Sequence, residues 1–156
     1  MNHVQSLVEQ VLREGYLMSL GTTDEGGPWV ADLIFVADEN LDLYWMSKTD
    51  ARHSQAILKS PHVAGSVTVS NDVGEPDFGV QFEGVAEKID GGLSNMYSRY
   101  QEKRRKEKLP LGERAMRLAG MSWYRCRPSY YELIDKLRFG FEKQKLSLSI
   151  KQENIT

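Results

Sequence analysis

Ser47-Lys-Thr-Asp-Ala-Arg-His53 gathers two hydroxyls, two permanent cations and a histidine where an extended, apolar stretch gives way to a helical pattern. The first N–H groups of a helix have no acceptor within it. Together with the hydroxyls of Ser47 and Thr49 and the charges of Lys48 and Arg52, they converge on one spot suited to a dianion such as phosphate. Arg52 can grip two phosphate oxygens at once, and His53 adds charge only when protonated. The segment also fits a plain helix start with solvated charges, in which the Asp50 carboxylate caps the same N–H groups.

Other residues that could do chemistry point to less. His3, His53 and His62 fall on separate elements without a paired cysteine or carboxylate spacing, so no metal site is expected. Cys126, the only cysteine, cannot form an internal disulfide and reads as a small buried hydrophobe. The basic run Lys103 to Lys108 is broken by Glu107, follows Glu102 and has no stacking aromatics, which favours a solvated helix face over a nucleic-acid surface. Gly26-Gly27 and Gly91-Gly92 are turn punctuation, since no Gly-rich phosphate loop surrounds them. Trp29 and Trp45 fit core packing, and Trp29 equally fits a subunit contact.

These residues must be positioned by a chain of 156 residues, 40% of them hydrophobic, which suffices for one core without metal or disulfide staples. A net charge of -2 gives no overall attraction to nucleic acid or anionic lipid. No apolar run approaches the roughly 20 residues of a membrane span, and the N-terminal residues lack a secretion-signal pattern. A cytoplasmic protein is expected.

Val4, Leu7, Val8, Val11 and Leu12 share one stripe of a helix over residues 3–14. Strands are expected from Tyr16, from Trp29 to Ala37 and from Leu41 to Met46, joined into a three-strand meander by turns at 24–27 and 38–40. The alternation of Leu41, Leu43 and Trp45 marks the third as half-buried. A short helix follows over 51–59, with Asp50 as N-cap. Two strands, 62–69 and 79–88, come next, and Gly84 marks a bulge or a close backbone approach in the second. Helical spacing covers 93–107 through Leu93, Met96, Tyr97 and Tyr100, and a further piece covers 112–119. In a last strand from Trp123 to Ile134, Pro128 denies one ladder hydrogen bond and implies an edge, a bulge or two strand pieces. The implied class is mainly β (α+β), a small β-barrel of about six antiparallel strands with peripheral helices. Residues 1–143 would form the domain and 144–156 a polar tail.

Four stretches carry a resemblance: Leu20-Gly-Thr-Thr-Asp-Glu-Gly-Gly-Pro-Trp-Val-Ala-Asp, Leu43-Tyr-Trp-Met-Ser-Lys-Thr-Asp-Ala-Arg-His-Ser-Gln, His62-Val-Ala-Gly-Ser-Val and Gly79-Val-Gln-Phe-Glu-Gly-Val-Ala-Glu-Lys. With this order of elements, the chain resembles the pyridoxamine 5′-phosphate oxidase-like FMN-binding split barrels, closely over residues 3–90 and loosely beyond. The nearest wording is that of small uncharacterised bacterial members. The resemblance implies FMN held between the subunits of a homodimer. The ring would lie beside Trp29, Val30, Ala31 and Asp32, then Met46 and Ser47, and the phosphate near Lys48, Thr49, Arg52 and His53. Phe139, Gly140 and Phe141 occupy the region that crosses to the partner's flavin, and Tyr100 with Arg104 repeats the oxidases' substrate-contacting Tyr-x-x-x-Arg spacing. Two departures stand out: no Lys or Arg lies between Pro28 and Ala37, and His53 replaces a common lysine. Oxidation of pyridoxamine phosphate itself is therefore not implied.

The implied activity is that of an FMN-dependent oxidoreductase acting on a small molecule or accepting electrons from a donor, with no side chain cast as acid, base or nucleophile. The alternatives are a related barrel binding haem or a deazaflavin, and a flavin-binding or sensing module without turnover.

Overall fold

The computed structural model describes residues 2–90, 94–104 and 120–149. The expected helix at 112–119, Leu93, Gly91-Gly92, the rest of the basic run after Arg104 and the last residues of the tail lie outside the described residues.

Helix α1, His3–Glu14, starts where the Asn2 side chain accepts the Val4 N–H at 3.0 Å. It buries Leu7, Val8, Val11 and Leu12, each contributing about 1.5–3 kcal/mol on leaving water. The hairpin of β1, Leu17–Asp24, and β2, Gly27–Ile34, pairs from Leu17↔Ile34 to Asp24↔Gly27. Its tight end needs Gly27, whose φ of 100° suits a residue without Cβ. Then come β3, Val36–Ala37; β4, Leu43–Lys48; α2, Arg52–Lys59; β5, His62–Thr68; β6, Phe78–Ile89; α3, Ser94–Arg104; β7, Met121–Asp135; α4, Lys136–Phe139; and β8, Gln144–Ser147.

The strands form one antiparallel sheet in the order β2-β1-β5-β6-β7-β4-β3, with β8 also paired to β7. The second step of the expected meander is kept only at its end, where Val36 and Ala37 pair with Tyr44 and Leu43, while β2 pairs with β1 and the other side of β4 with β7. Expected as one strand to Ala37, the return strand breaks at Phe35, which is fully buried. Across that single residue the chain passes from one edge of the sheet order to the other, which curls the sheet into a half-barrel. A split barrel with a few helices is the result, as the sequence implied.

Inside the curl, Phe35, Leu43, Trp45, Phe82, Tyr131 and the apolar face of α1 make the main core. A second cluster of Ile34, Val36, Tyr44, Met96, Tyr100 and Trp123 forms on the outer side of β4, under α3. Both faces of β4 are therefore covered. The expected half-buried strand is wrong on that point, since Leu43, Tyr44 and Trp45 are all buried. Leu41 also lies in the preceding turn rather than in the strand, with φ of 65°. It is held there by the Tyr131 hydroxyl, which donates to its carbonyl at 2.7 Å.

Gly84 fulfils its expectation. The β6–β7 register shifts between Glu83 and Gly84, opposite Pro128, and a Cβ there would run into the Arg127 carbonyl. Pro128, which has no N–H to give, thus sits at the one irregularity of the ladder, and β7 stays continuous. Gln144–Ser147, expected as the start of a polar tail, joins the sheet and buries Leu146. Cys126 is fully buried, and burial pushes its thiol up to about 12, as an inert packing residue requires. No helix among the described residues is long and apolar enough to cross a membrane.

Because the atoms that a Cβ at residue 84 would strike belong to backbone, they cannot yield cheaply. Gly84→Ala is expected to destabilise the fold by about 1–3 kcal/mol in urea unfolding, and an unchanged midpoint would contradict the bulge packing.

Candidate functional site

The turn 49–51 carries the chain from β4 into α2. β4 is bonded to β7 as far as Ser47↔Ser122 and Lys48↔Met121, so the start of α2 is fixed from the sheet. Asp50 is not the cap. Ala51 holds that position, and no side chain bonds the helix start. The Asp50 expectation is thereby corrected: its side chain is exposed and one residue too early. The first internal bond of α2 runs from the Gln55 N–H to the Ala51 carbonyl at 3.0 Å. The N–H groups of Arg52, His53 and Ser54 are left without an intrahelical acceptor, where the helix dipole favours an anion.

Around this start the expected residues separate into layers. Lys48 and Thr49 are exposed, and the Thr49 carbonyl accepts the Gln55 side-chain amide at 2.6 Å. Ser47 faces inward, 4% exposed, with its hydroxyl 2.8 Å from His53 Nε2. Burial lowers the His53 pKa below 6.5, so near neutral pH the ring is an uncharged partner of Ser47 rather than a third cation. Met46 points to the other side of β4 and packs against the second cluster.

Arg52 meets the β1–β2 hairpin. Its Nε donates to Asp24 Oδ2 at 2.7 Å and its Nη2 to Asp24 Oδ1 at 2.9 Å. Asp24 Oδ1 also accepts the Gly26 N–H at 2.8 Å. The guanidinium carbon stands 4.6 Å from the centre of the Trp29 ring, a cation–π distance. A Cβ on Gly26 would come within 2.9 Å of Nη2, so the glycine leaves room for the guanidinium as well as for the turn. The hydrogen bond from Arg52 lowers the Asp24 pKa, and the reciprocal bond raises that of Arg52. Two of the five guanidinium N–H donors are used by this pair.

Beside the ion pair, β2 is the outer strand of the sheet order, with Trp29 44% and Val30 62% exposed. Ala31 is half-buried, and exposed Asp32 accepts the Ser19 hydroxyl at 2.6 Å. Two buried hydroxyls, Thr22 Oγ1 and Ser54 Oγ, have no hydrogen-bond partner among the described residues. They lie two residues before Asp24 and two after Arg52, and an orphaned buried hydroxyl costs about 1–3 kcal/mol.

Thus Trp29 and Arg52 are brought together, as are Ser47 and His53. Phe139 and Phe141 are not joined to them in this chain, because they follow the end of β7 opposite to the one that meets Lys48. Phe139 packs on its own core, while Phe141 is 92% exposed. Tyr100 and Arg104 are both buried, and Tyr100 meets Trp123 edge-on at 5.4 Å, so the implied substrate contact is taken up by packing. Sequence reasoning missed the partner of Arg52. Asp24 reads only as a turn residue, and nothing along the chain signals a contact 28 residues away.

Cavities of about 680 Å³, between α1, the turn after β3 and α3, and about 590 Å³, beside the Pro128 bulge, are lined by none of residues 29–32 or 46–53. The helix start and β2 form an open shelf. For a phosphate, the shelf fits in its N–H groups, Lys48 and Thr49, while Arg52 is engaged by Asp24. Among the described residues no group of His, Cys, Asp and Glu could hold a metal ion.

Residues 5–134 match the family described as Pyridoxamine 5'-phosphate oxidase. A UPF0306 protein of Yersinia pestis bv. Antiqua (strain Angola) is 29% identical over 86 residues, which is 54% of this chain and 58% of that protein; the similarity thus spans little more than half of either. Among solved structures, a heme binding protein from Mycobacterium smegmatis superposes with a TM-score of 0.71 at 14% identity, over 94% of this chain and 59% of that one. A putative pyridoxamine 5'-phosphate oxidase from Listeria innocua gives 0.64 at 14%, over 85% and 98%. An F420 reductase gives 0.62 at 22%, over 79% and 94%. These likenesses show the fold.

Because the folded chain keeps His53 neutral below its ordinary pKa, the unfolded chain takes up a proton first as pH falls. The stability His53 contributes is complete above about pH 6.5 and is lost below it. Melting temperatures from pH 8 to pH 5 are expected to fall less steeply for His53→Gln than for the parent, and identical slopes would contradict a buried neutral ring.

Proposed function

From its membership of the pyridoxamine 5'-phosphate oxidase family, which the match over residues 5–134 establishes, we propose that this chain is a flavoprotein that binds FMN and works as an oxidoreductase on a small molecule. The observation that carries the reading is the uncapped start of α2 beside exposed Lys48 and Thr49. The helix N–H groups and a lysine offer a phosphate what a neutral ligand cannot use. The ring would lie along the outer edge of β2, where backbone N–H and C=O groups face away from β1 and Trp29, Val30, Ala31 and Asp32 line the strand.

When bound, FMN supplies hydride or single-electron transfer. The chain's residues bind and orient it. Lys48 and Arg52 balance the phosphate charge, His53 holds Ser47 and stiffens the step from strand to helix, and Trp29 covers one side. A second copy of the chain would close the open shelf, and the exposed apolar residues of β2 favour such a contact. Of the two phenylalanines expected to cross to a partner, Phe141 is the exposed one.

Haem is the weaker reading for this site. Iron needs an axial donor, and the one histidine at the shelf has its Nε2 turned onto Ser47.

Purified protein is expected to show the near-ultraviolet and visible absorption bands of oxidised flavin, and the extracted cofactor to have the mass of FMN. A Soret band, or a colourless protein that cannot be loaded with FMN, would contradict the proposal. Arg52→Ala is expected to weaken FMN binding by roughly ten- to a hundredfold, the scale of a charged hydrogen-bond partner. Equal titration curves would remove Arg52 from the site.

A further inference from the structure

We propose that Asp24 is a built-in competitor for the anion that Arg52 binds, so that a phosphate reaches Arg52 by exchange with the Asp24 carboxylate. This rests on the FMN reading and adds the residue that sets how tightly the phosphate is held. A carboxylate presents two oxygens to a guanidinium in the same forked manner as a phosphate. Asp24 does so through Nε and Nη2, at 2.7 and 2.9 Å.

The surroundings keep the carboxylate at hand. The Gly26 N–H anchors Asp24 Oδ1 at 2.8 Å, and the hairpin end is fixed by the Asp24↔Gly27 pairing. Arg52, in turn, rests over the Trp29 ring at 4.6 Å. The ring supplies no oxygen acceptor, so the guanidinium can trade one oxygen pair for another while staying over it. The pair is only partly shielded, with the Arg52 and Asp24 side chains 39% and 27% exposed. Water weakens such a bond, and a dianion able to use the helix N–H groups as well can displace it. A ligand bearing a single weak negative charge gains less from the exchange. Asp24 therefore selects for a phosphate over a carboxylate.

Titration of FMN into the parent, Asp24→Asn and Glu25→Gln tests this directly. Both variants remove one negative charge from the same turn, but Glu25 has no contact with Arg52 among the described residues, and Asn keeps an acceptor for the Gly26 N–H. D24N is expected to bind FMN roughly two- to fivefold more tightly than E25Q, the scale of a partly exposed ion pair. Inorganic phosphate, used as a competitor, should show the same order. Asp24→Ser, which also keeps an acceptor, should reproduce the gain if D24N folds poorly. FMN binding by the parent with D24N and D24S no tighter than E25Q overturns the competitor role and leaves the flavin site standing. A gain for FMN with none for phosphate also overturns it, because the carboxylate would then oppose the ring. No FMN binding by any of the proteins removes the flavin reading together with the inference.

Discussion

Everything in this fold hangs from the ladders of β7. One side of this 15-residue strand is bonded to β6, and the other to β4 over Met121–Cys126 and then to β8 over Tyr130–Leu133. That double pairing fixes the register of β4, and the register decides which side chains face the core. Trp45, stacked on Tyr124 at 5.8 Å, and Ser47 turn inward, while Lys48 ends the strand in solvent. The chain must then reverse within three residues, and α2 begins with N–H groups that have no acceptor within the helix. A slip of one residue along β7 would exchange the two faces of β4, burying Lys48 and turning Ser47 out.

On the proposed reading, the same geometry would make a plain helix start selective. An uncapped N-terminus attracts any anion weakly. Here the hairpin of β1 and β2 brings Trp29 and Asp24 against Arg52, adding a cation with a carboxylate already on it. His53, neutral and bonded to Ser47, adds rigidity instead of charge. The unpartnered hydroxyls of Thr22 and Ser54 mark the layer beneath, where stability is given up next to the shelf.

Local patterns were the legible part of this molecule. The stripe of α1, the glycine at the β6 bulge and the burial of Cys126 each follow from a few neighbouring residues, and each is where the sequence pointed. A small β-barrel followed from the order of elements, and the split-barrel class from the family resemblance. What stayed hidden depends on tertiary pairing. Leu41 alternates with Leu43 and Trp45 as a strand residue should, yet the Tyr131 hydroxyl and the Asp38 turn draw it out of the ladder. Gln144–Ser147 is too polar to read as a strand, and only the free side of β7 makes it one. Asp50 has the chemistry of an N-cap, but the helix starts one residue later than that cap would require. Of the site, the cations and hydroxyls of 47–53 were visible as a group, whereas the division between exposed Lys48 and Thr49, buried Ser47 and committed Arg52 needed the fold.

The central claim is that recognition runs through a phosphate at the start of α2. Flavin fluorescence titrations with FMN and with riboflavin, which has the same ring and no phosphate, test it most directly. FMN is expected to bind at least about tenfold more tightly, the difference expected from even one charge-assisted hydrogen bond. Equal affinity for the two would contradict the account and leave the shelf without a role in binding.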